Sequence, residues 1–352
     1  MNDLQRLGRY DRTRSYAWNY EHVPDLVEMP VREVSGDWQF CDRPVPSPLG
    51  ISAGPLLNGK WCLYYAGLGF DVLTYKTVRS REHVCHPLPN LQPVANGQLT
   101  GSESEVQTSD RMQGSWAVSF GMPSQDPQVW RRDVEQTRAR LSSEKLLSVS
   151  VVGTIQDGWS IAELAEDYAC CARWAIESGA DAVETNFSCP NVTTCDGQLY
   201  LSPEDSKQVA ERVRSTIGSV PYILKIGHIP SREAAMALLE AVGHVVDALA
   251  LTNSIATMVR DSQQRLMYGS QKRGICGAAI RETSIAQIRM MRELITERNL
   301  PLHLVGVGGI SSAEHLRAYL AAGAQMCHLA TAPMVNPEVG LDIRNDFQCG
   351  PR

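Results

Sequence analysis

The residues best suited to chemistry in this 352-residue chain are one cysteine, two lysines and a set of asparagines that follow short apolar runs. Cys189 stands in Ser188-Cys189-Pro190-Asn191, a loop context that packing explains poorly. A free thiol titrates at roughly 8.5, and nearby positive charge lowers it toward a usable general base. Its other role, nucleophile, normally needs a histidine partner. None of the eight histidines stands at an obvious strand end, and His228, just after Lys225, comes nearest. Lys76 and Lys225 each close an apolar run, where a cation can hold an anionic ligand or steady developing negative charge. Asn186, Asn191 and Asn253, with Ser254, add paired donors and acceptors. In Gly306-Val307-Gly308-Gly309, the last two glycines let backbone N–H groups approach an anion, and a helix starting near Ser312 adds its positive end.

Two motifs are decoys. Gly306-x-Gly308-x-x ends at Ser311 and comes late in the chain, so it is no dinucleotide fingerprint. Gly54-Pro-Leu-Leu-Asn-Gly59-Lys60 resembles a phosphate loop, but Trp61 follows where a magnesium-binding Ser or Thr belongs.

The elements that must position these groups are short apolar, β-branched runs. They recur at Leu49–Ala53, Val72–Thr77, Leu147–Gly153, Ala182–Asn186, Tyr222–Ile226, Val245–Thr252, Leu302–Val307 and Met326–Ala330. Helix-like segments lie between most of them: Ser160–Ser178, Pro203–Ile217, Ser231–Val242, Thr283–Arg298 and Ser312–Ala322. Ser160 precedes Glu163 by three, Pro203 follows Ser202, and Gly179 and Gly323 close helices. Continuous apolar strands alternating with helices predict a parallel sheet covered by helices, and eight such units predict a closed (β/α)8 barrel. The gap at 78–146 is the exception, and its polar stretch from Asn96 to Arg111 reads as a loop excursion near the mouth. Residues 1–47, with Trp18, Tyr20 and Trp38 but no clear period, read as an extension packed on a barrel of residues 48–352.

In such a barrel the site lies at the C-terminal strand ends. Lys76-Thr77, Asn186, Lys225, Asn253-Ser254, Gly308-Gly309 and Ala330-Thr331 therefore converge on one rim. Salt-bridged lysines and asparagine caps explain any one of these residues more readily than they explain the set.

Composition sets the outer bounds. Net charge is −6, with 43% hydrophobic and 20% charged residues and no basic stripe, which argues against nucleic acid or an anionic membrane as partner. No run approaches the ~20 apolar residues of a membrane span. Met1–Tyr20 lacks the order of a signal peptide, so a cytoplasmic location is expected. Ten cysteines without a Cys-x-x-Cys pair suggest buried thiols and no metal site.

Asn-Phe-Ser-Cys-Pro-Asn (186–191) resembles the signature of the dihydroorotate dehydrogenases, with cysteine where the soluble class has its base. Similarity extends through Ser-Ala-Gly (52–54), Tyr-Lys-Thr (75–77), His-Pro-Leu-Pro (86–89), Ser-Phe-Gly-Met-Pro-Ser (119–124), Asn-Ser-Ile (253–255), Val-Gly-Val-Gly-Gly-Ile (305–310) and Ala-Thr-Ala (330–332). The resemblance implies bound FMN, its phosphate on Gly308, Gly309, Ala330 and Thr331 with Gly277 nearby. Lys225 would meet the flavin N1/O2 edge, and Ala53, Gly54, Thr77, Ser150 and Asn186 would line the cofactor. Lys76 would bridge flavin and substrate carboxylate, while Asn186, Asn191, Asn253 and Ser254 hold the substrate ring and Cys189 takes the C5 proton.

Three departures stand out: Val118 replaces the family's substrate asparagine, the turn near Arg273 and Cys276 is less glycine-rich, and the extension matches neither the membrane-bound nor the compact soluble class. Two alternatives follow. One keeps the flavin and changes the small cyclic or carboxylated substrate. The other is a phosphate-ligand barrel without redox chemistry, in which Lys76 or Lys225 forms a Schiff base. Soluble relatives imply a homodimer, and the electron acceptor is left open.

Overall fold

The computed structural model describes residues 7–95, 97–188 and 198–348. Eight parallel strands close into a barrel in sequence order: β1 (Leu49–Ile51), β2 (Val72–Val78), β3 (Leu146–Val151), β4 (Ala182–Asn186), β5 (Tyr222–Lys225), β6 (Ala248–Leu251), β7 (His303–Val307) and β8 (Met326–Leu329). β8 returns to β1 with His328 opposite Gly50. Each strand is buried on both faces, by neighbouring side chains inside and helices outside, which is why the runs are continuously apolar. All five helices expected from the sequence form, within two residues of the expected ends. The Ser160/Glu163 capping box is present, and Gly179 and Gly323 take positive φ of 93° and 111° just past their helices.

The barrel foot is sealed. The antiparallel hairpin Trp38–Phe40/Arg43–Val45 inserts Phe40, Cys41 and Val45 against Val72, Leu146, Ala182 and Ile223, all buried. Because strand side chains alternate, the next inward positions above that apolar floor are Thr74, Ser148 and Glu184, and above those Lys76, Ser150 and Asn186. The interior thus grades from apolar at the foot to polar at the mouth.

The gap at 78–146 is more than a loop excursion. It holds three short strands and a helix, Pro127–Arg140, started by Asp126, whose side chain accepts from the Gln128 N–H, with Pro127 in the first turn. Its strands Leu91–Pro93, Glu105–Gln107 and Ser115–Val118 join Ile255–Arg260 and Arg273–Gly277, inserted after β6, in a five-stranded sheet that roofs the mouth. Gly59–Ala66, inside the rejected phosphate-loop motif, is the helix after β1, with Asn58 accepting from the Trp61 N–H.

The N-terminal residues reach the same end. Tyr10 and Tyr16 are buried with their rings 6.1 and 6.0 Å from that of Phe120, and Trp61 Nε1 donates to the Asn19 carbonyl at 3.0 Å. Among the described residues no helix is long and apolar enough to cross a membrane.

Candidate active site

A cavity of about 450 Å³ opens between the barrel mouth and the roof. Its wall brings together Lys76 from β2, Asn186 from β4 and Lys225 from β5, with Asn253 and Ser254 after β6. Ala53, Gly54, Thr77, Gly277, Gly308, Gly309, Ala330 and Thr331 complete the sequence-derived set that lines it. Ser150 stands one step back: it is fully buried beside β2, and its Oγ accepts the Thr77 hydroxyl at 3.0 Å. Cys189 and Asn191 lie outside the described residues.

Both lysines are nearly buried, 6% exposed at Lys76 and 5% at Lys225. The charge of Lys225 is felt by its neighbours. Together with the larger effect of burial it pushes the His328 imidazole down to about 3, and it offsets part of the burial that pushes the Cys276 thiol up to about 12. Cys276 is the described cysteine that lines the cavity, but its thiol stays protonated at neutral pH and donates to the Asn253 carbonyl at 3.4 Å. It braces the backbone at Asn253. The Asn186 Oδ1 accepts from the Ser188 N–H and hydroxyl at 3.2 and 2.8 Å, whereas among the described residues its amide nitrogen meets only the Met122 sulfur at 3.4 Å. Donor capacity therefore remains toward the cavity.

The glycine cradle is built from three residues with positive φ: Gly277 (96°), Gly308 (125°) and Gly309 (69°). A Cβ on Gly277 would come within 2.1 Å of the Gly114 carbonyl oxygen, and one on Gly309 within 2.7 Å of the Gly277 carbonyl oxygen. Only glycine keeps this backbone. The helix Ala313–Ala321 follows, capped by Ser312. Polar atoms on the barrel side are left without partners among the described residues, including the Ser52 hydroxyl, the Thr252 hydroxyl and both ring nitrogens of His328. Buried donors and acceptors need partners. Two buried cations, a glycine cradle and these orphaned groups suit a polar ligand that carries an anion at one end and a heteroaromatic body at the other.

Sequence reasoning missed several residues of this wall. His328 is one: it sits inside β8 rather than at a strand end, and it lines the cavity. Its signal was a lone ionisable residue within the apolar run Met326–Ala330. His228, the nearest histidine by sequence, is not among the wall residues; it lies against Gly101 on the roof side. His86 and Arg273, both on the roof side of the cavity, were also missed.

The dihydroorotate dehydrogenase family model matches residues 108–348. Dihydroorotate dehydrogenase of Dictyostelium discoideum is 32% identical over 96% of both chains. Dihydroorotate dehydrogenase (quinone) of Paracidovorax citrulli is 25% identical over 97% of this chain and 91% of its own. In fold, the chain is similar to the crystal structure of the Eimeria tenella enzyme in complex with ferulenol, with a TM-score of 0.67, 16% identity and coverage of 88% and 84%. With a family model spanning most of the barrel and a full-length relative at this identity, the chain belongs to the dihydroorotate dehydrogenase family.

Proposed function

We propose that this chain is an FMN-dependent oxidoreductase that converts dihydroorotate to orotate. The observation that supports it best is the meeting of Lys76, Lys225, Asn186, Asn253 and the Gly308-Gly309 cradle on one cavity. Gly277, Gly308, Gly309, Ala330 and Thr331 would hold the FMN phosphate, with Lys225 at the edge of the ring and Ala53, Gly54 and Thr77 along it. When bound, FMN supplies the two-electron acceptor for the hydride that leaves substrate C6. Asn186, Asn191, Asn253 and Ser254 hold the substrate ring amides, and Lys76 holds its carboxylate. Cys189 removes the C5 proton, the task for which positive charge lowers a thiol's pKa. Residues 1–47 serve as an extension on the 48–352 barrel, and the assembly is a homodimer. Family membership does not favour the phosphate-ligand barrel without redox chemistry.

The test is optical. Purified protein should be yellow, and anaerobic dihydroorotate should bleach its flavin band. A colourless protein that refuses added FMN sinks the proposal. A yellow protein that another cyclic acid bleaches, and dihydroorotate does not, moves the substrate and keeps the cofactor. Reoxidation of the bleached enzyme by fumarate, a quinone or oxygen then identifies the acceptor.

A further inference from the structure

Arg273 opens the roof strand Arg273–Gly277, which runs antiparallel to Ser115–Val118 with Gly274 opposite Val118. Its guanidinium therefore stands beside the apolar Val118 wall, and Arg273, Val118 and Ser119 all line the cavity. Among the described residues every hydrogen-bond partner of this guanidinium is neutral. Nε donates to the Ser119 hydroxyl at 2.9 Å, and Nη1 donates to the Lys272 carbonyl at 2.9 Å and to Gln271 Oε1 at 3.3 Å. Among the described residues Nη2 has only a long contact of 3.4 Å to Gln271 Oε1. The group also lies over the Tyr268 ring, 4.9 Å from its centroid.

Arginines withdrawn from water are ordinarily paired with a carboxylate. Arg273 has no ion pair with any Asp or Glu among the described residues, although it is half-buried. Its uncompensated charge reaches the neighbouring His86, which burial first and Arg273 second hold below the ordinary histidine range. A planar fork with donors to spare, facing a cavity and lacking an anion among the described residues, matches a carboxylate in shape and charge.

We propose that Arg273 is a substrate-specificity residue that binds a carboxylate of the substrate from the roof side of the cavity. The proposal rests on the reading of this cavity as a substrate site and adds a second acid-reading cation to Lys76. The competing role is purely structural, with Arg273 stitching Ser119, Tyr268 and the Gln271-Lys272 turn together. A structural role would weaken every ligand alike, whereas a carboxylate reader separates acids from neutral ligands.

The experiment titrates the flavin band of the purified holoenzyme with orotate and with uracil, which lacks the carboxylate, in wild type, Arg273→Gln and Arg273→Lys. The expected result is at least a ten-fold loss of orotate affinity in Arg273→Gln, partial recovery in Arg273→Lys, and uracil affinity within two-fold throughout. Equal losses for both ligands, or orotate affinity unchanged, overturn the proposal. If dihydroorotate fails to bleach the wild type and orotate fails to bind, the functional reading falls separately. Arg273 is then judged by thermal shift with cyclic carboxylic acids and their amides. An acid preference of ten-fold or more that disappears in Arg273→Gln sustains the inference, and a wild type with no acid preference overturns it.

Discussion

Gly50 of β1 and His328 of β8 face each other across the barrel seam so closely that a Cβ on Gly50 would lie 2.3 Å from Cδ2 of His328. The imidazole occupies the space that the missing side chain leaves, stacked 5.7 Å from the Phe40 ring below it. Gly50→Ala should cost about 1–3 kcal/mol through overpacking. The double variant Gly50→Ala/His328→Ala should cost less than the two single changes added together. Urea denaturation of all four proteins measures this, and strict additivity would refute the coupling.

The same histidine makes stability depend on pH. Burial, with help from Lys225, holds the His328 pKa down to about 3, whereas in the unfolded chain it is ordinary, roughly 6.5. Between these values the unfolded state binds a proton that the folded state does not, so stability falls as pH drops through that window. The slope from one such group is about 1.4 kcal/mol per pH unit. His328→Gln should flatten the wild-type profile by that much between pH 6 and 4, and parallel profiles would contradict a neutral buried imidazole.

Arg344 ties the last described helix to the barrel. Its guanidinium donates to the Asp71 carboxylate, to the Ser47 hydroxyl at 2.8 Å and to the Gly69 carbonyl at 2.7 Å, with both charged side chains 2% exposed. Lys145 holds the other Asp71 oxygen at 2.7 Å. Arg344→Leu should destabilise by roughly 3–5 kcal/mol, because the buried carboxylate loses its main partner. Asp71→Asn/Arg344→Leu should recover part of the loss in the same denaturation assay.

Thr77 and Ser150 link β2 to β3 beside the cavity through their hydroxyls. Ser150→Ala leaves the Thr77 donor unpaired, at a cost of about 1–3 kcal/mol. FMN should then leave the protein more readily on dialysis, by a few-fold, while a substrate-side variant such as Asn253→Ala should leave retention unchanged. Equal retention in Ser150→Ala would remove Ser150 from the support of the cofactor.

Cys189→Ala should slow flavin reduction by dihydroorotate by roughly 10²–10⁴, the usual contribution of a general base. FMN content should be unaffected, and raising the pH should restore little of the rate. Stopped-flow reduction at the wild-type speed would return the base assignment to another group.

The barrel was legible because buried parallel strands leave unbroken apolar runs, and Lys76, Asn186 and Lys225 were visible as polar residues where those runs stop. The roof was not. Its strands are mostly three to five residues long and pair across the separation from Val118 to Gly274, so no local period marks them. The helix Pro127–Arg140 buries only Trp130, Val134 and Thr137, too sparse a stripe to stand out. In the sequence Arg273 shows only as part of a turn short of glycines, because the feature that distinguishes it, the want of an acidic neighbour among the described residues, exists only in three dimensions. His328 reads as core until its orphaned nitrogens are seen.

The hairpin at Trp38–Val45 has a consequence for traffic. Among the described residues, Phe40, Cys41 and Val45 stopper one end of the tube and a continuous ring of hydrogen-bonded strands forms its sides, so a small molecule inside leaves by the doorway it used to come in. Spent product blocks the next arrival until it departs, so accumulation of product should throttle turnover by competing directly with substrate.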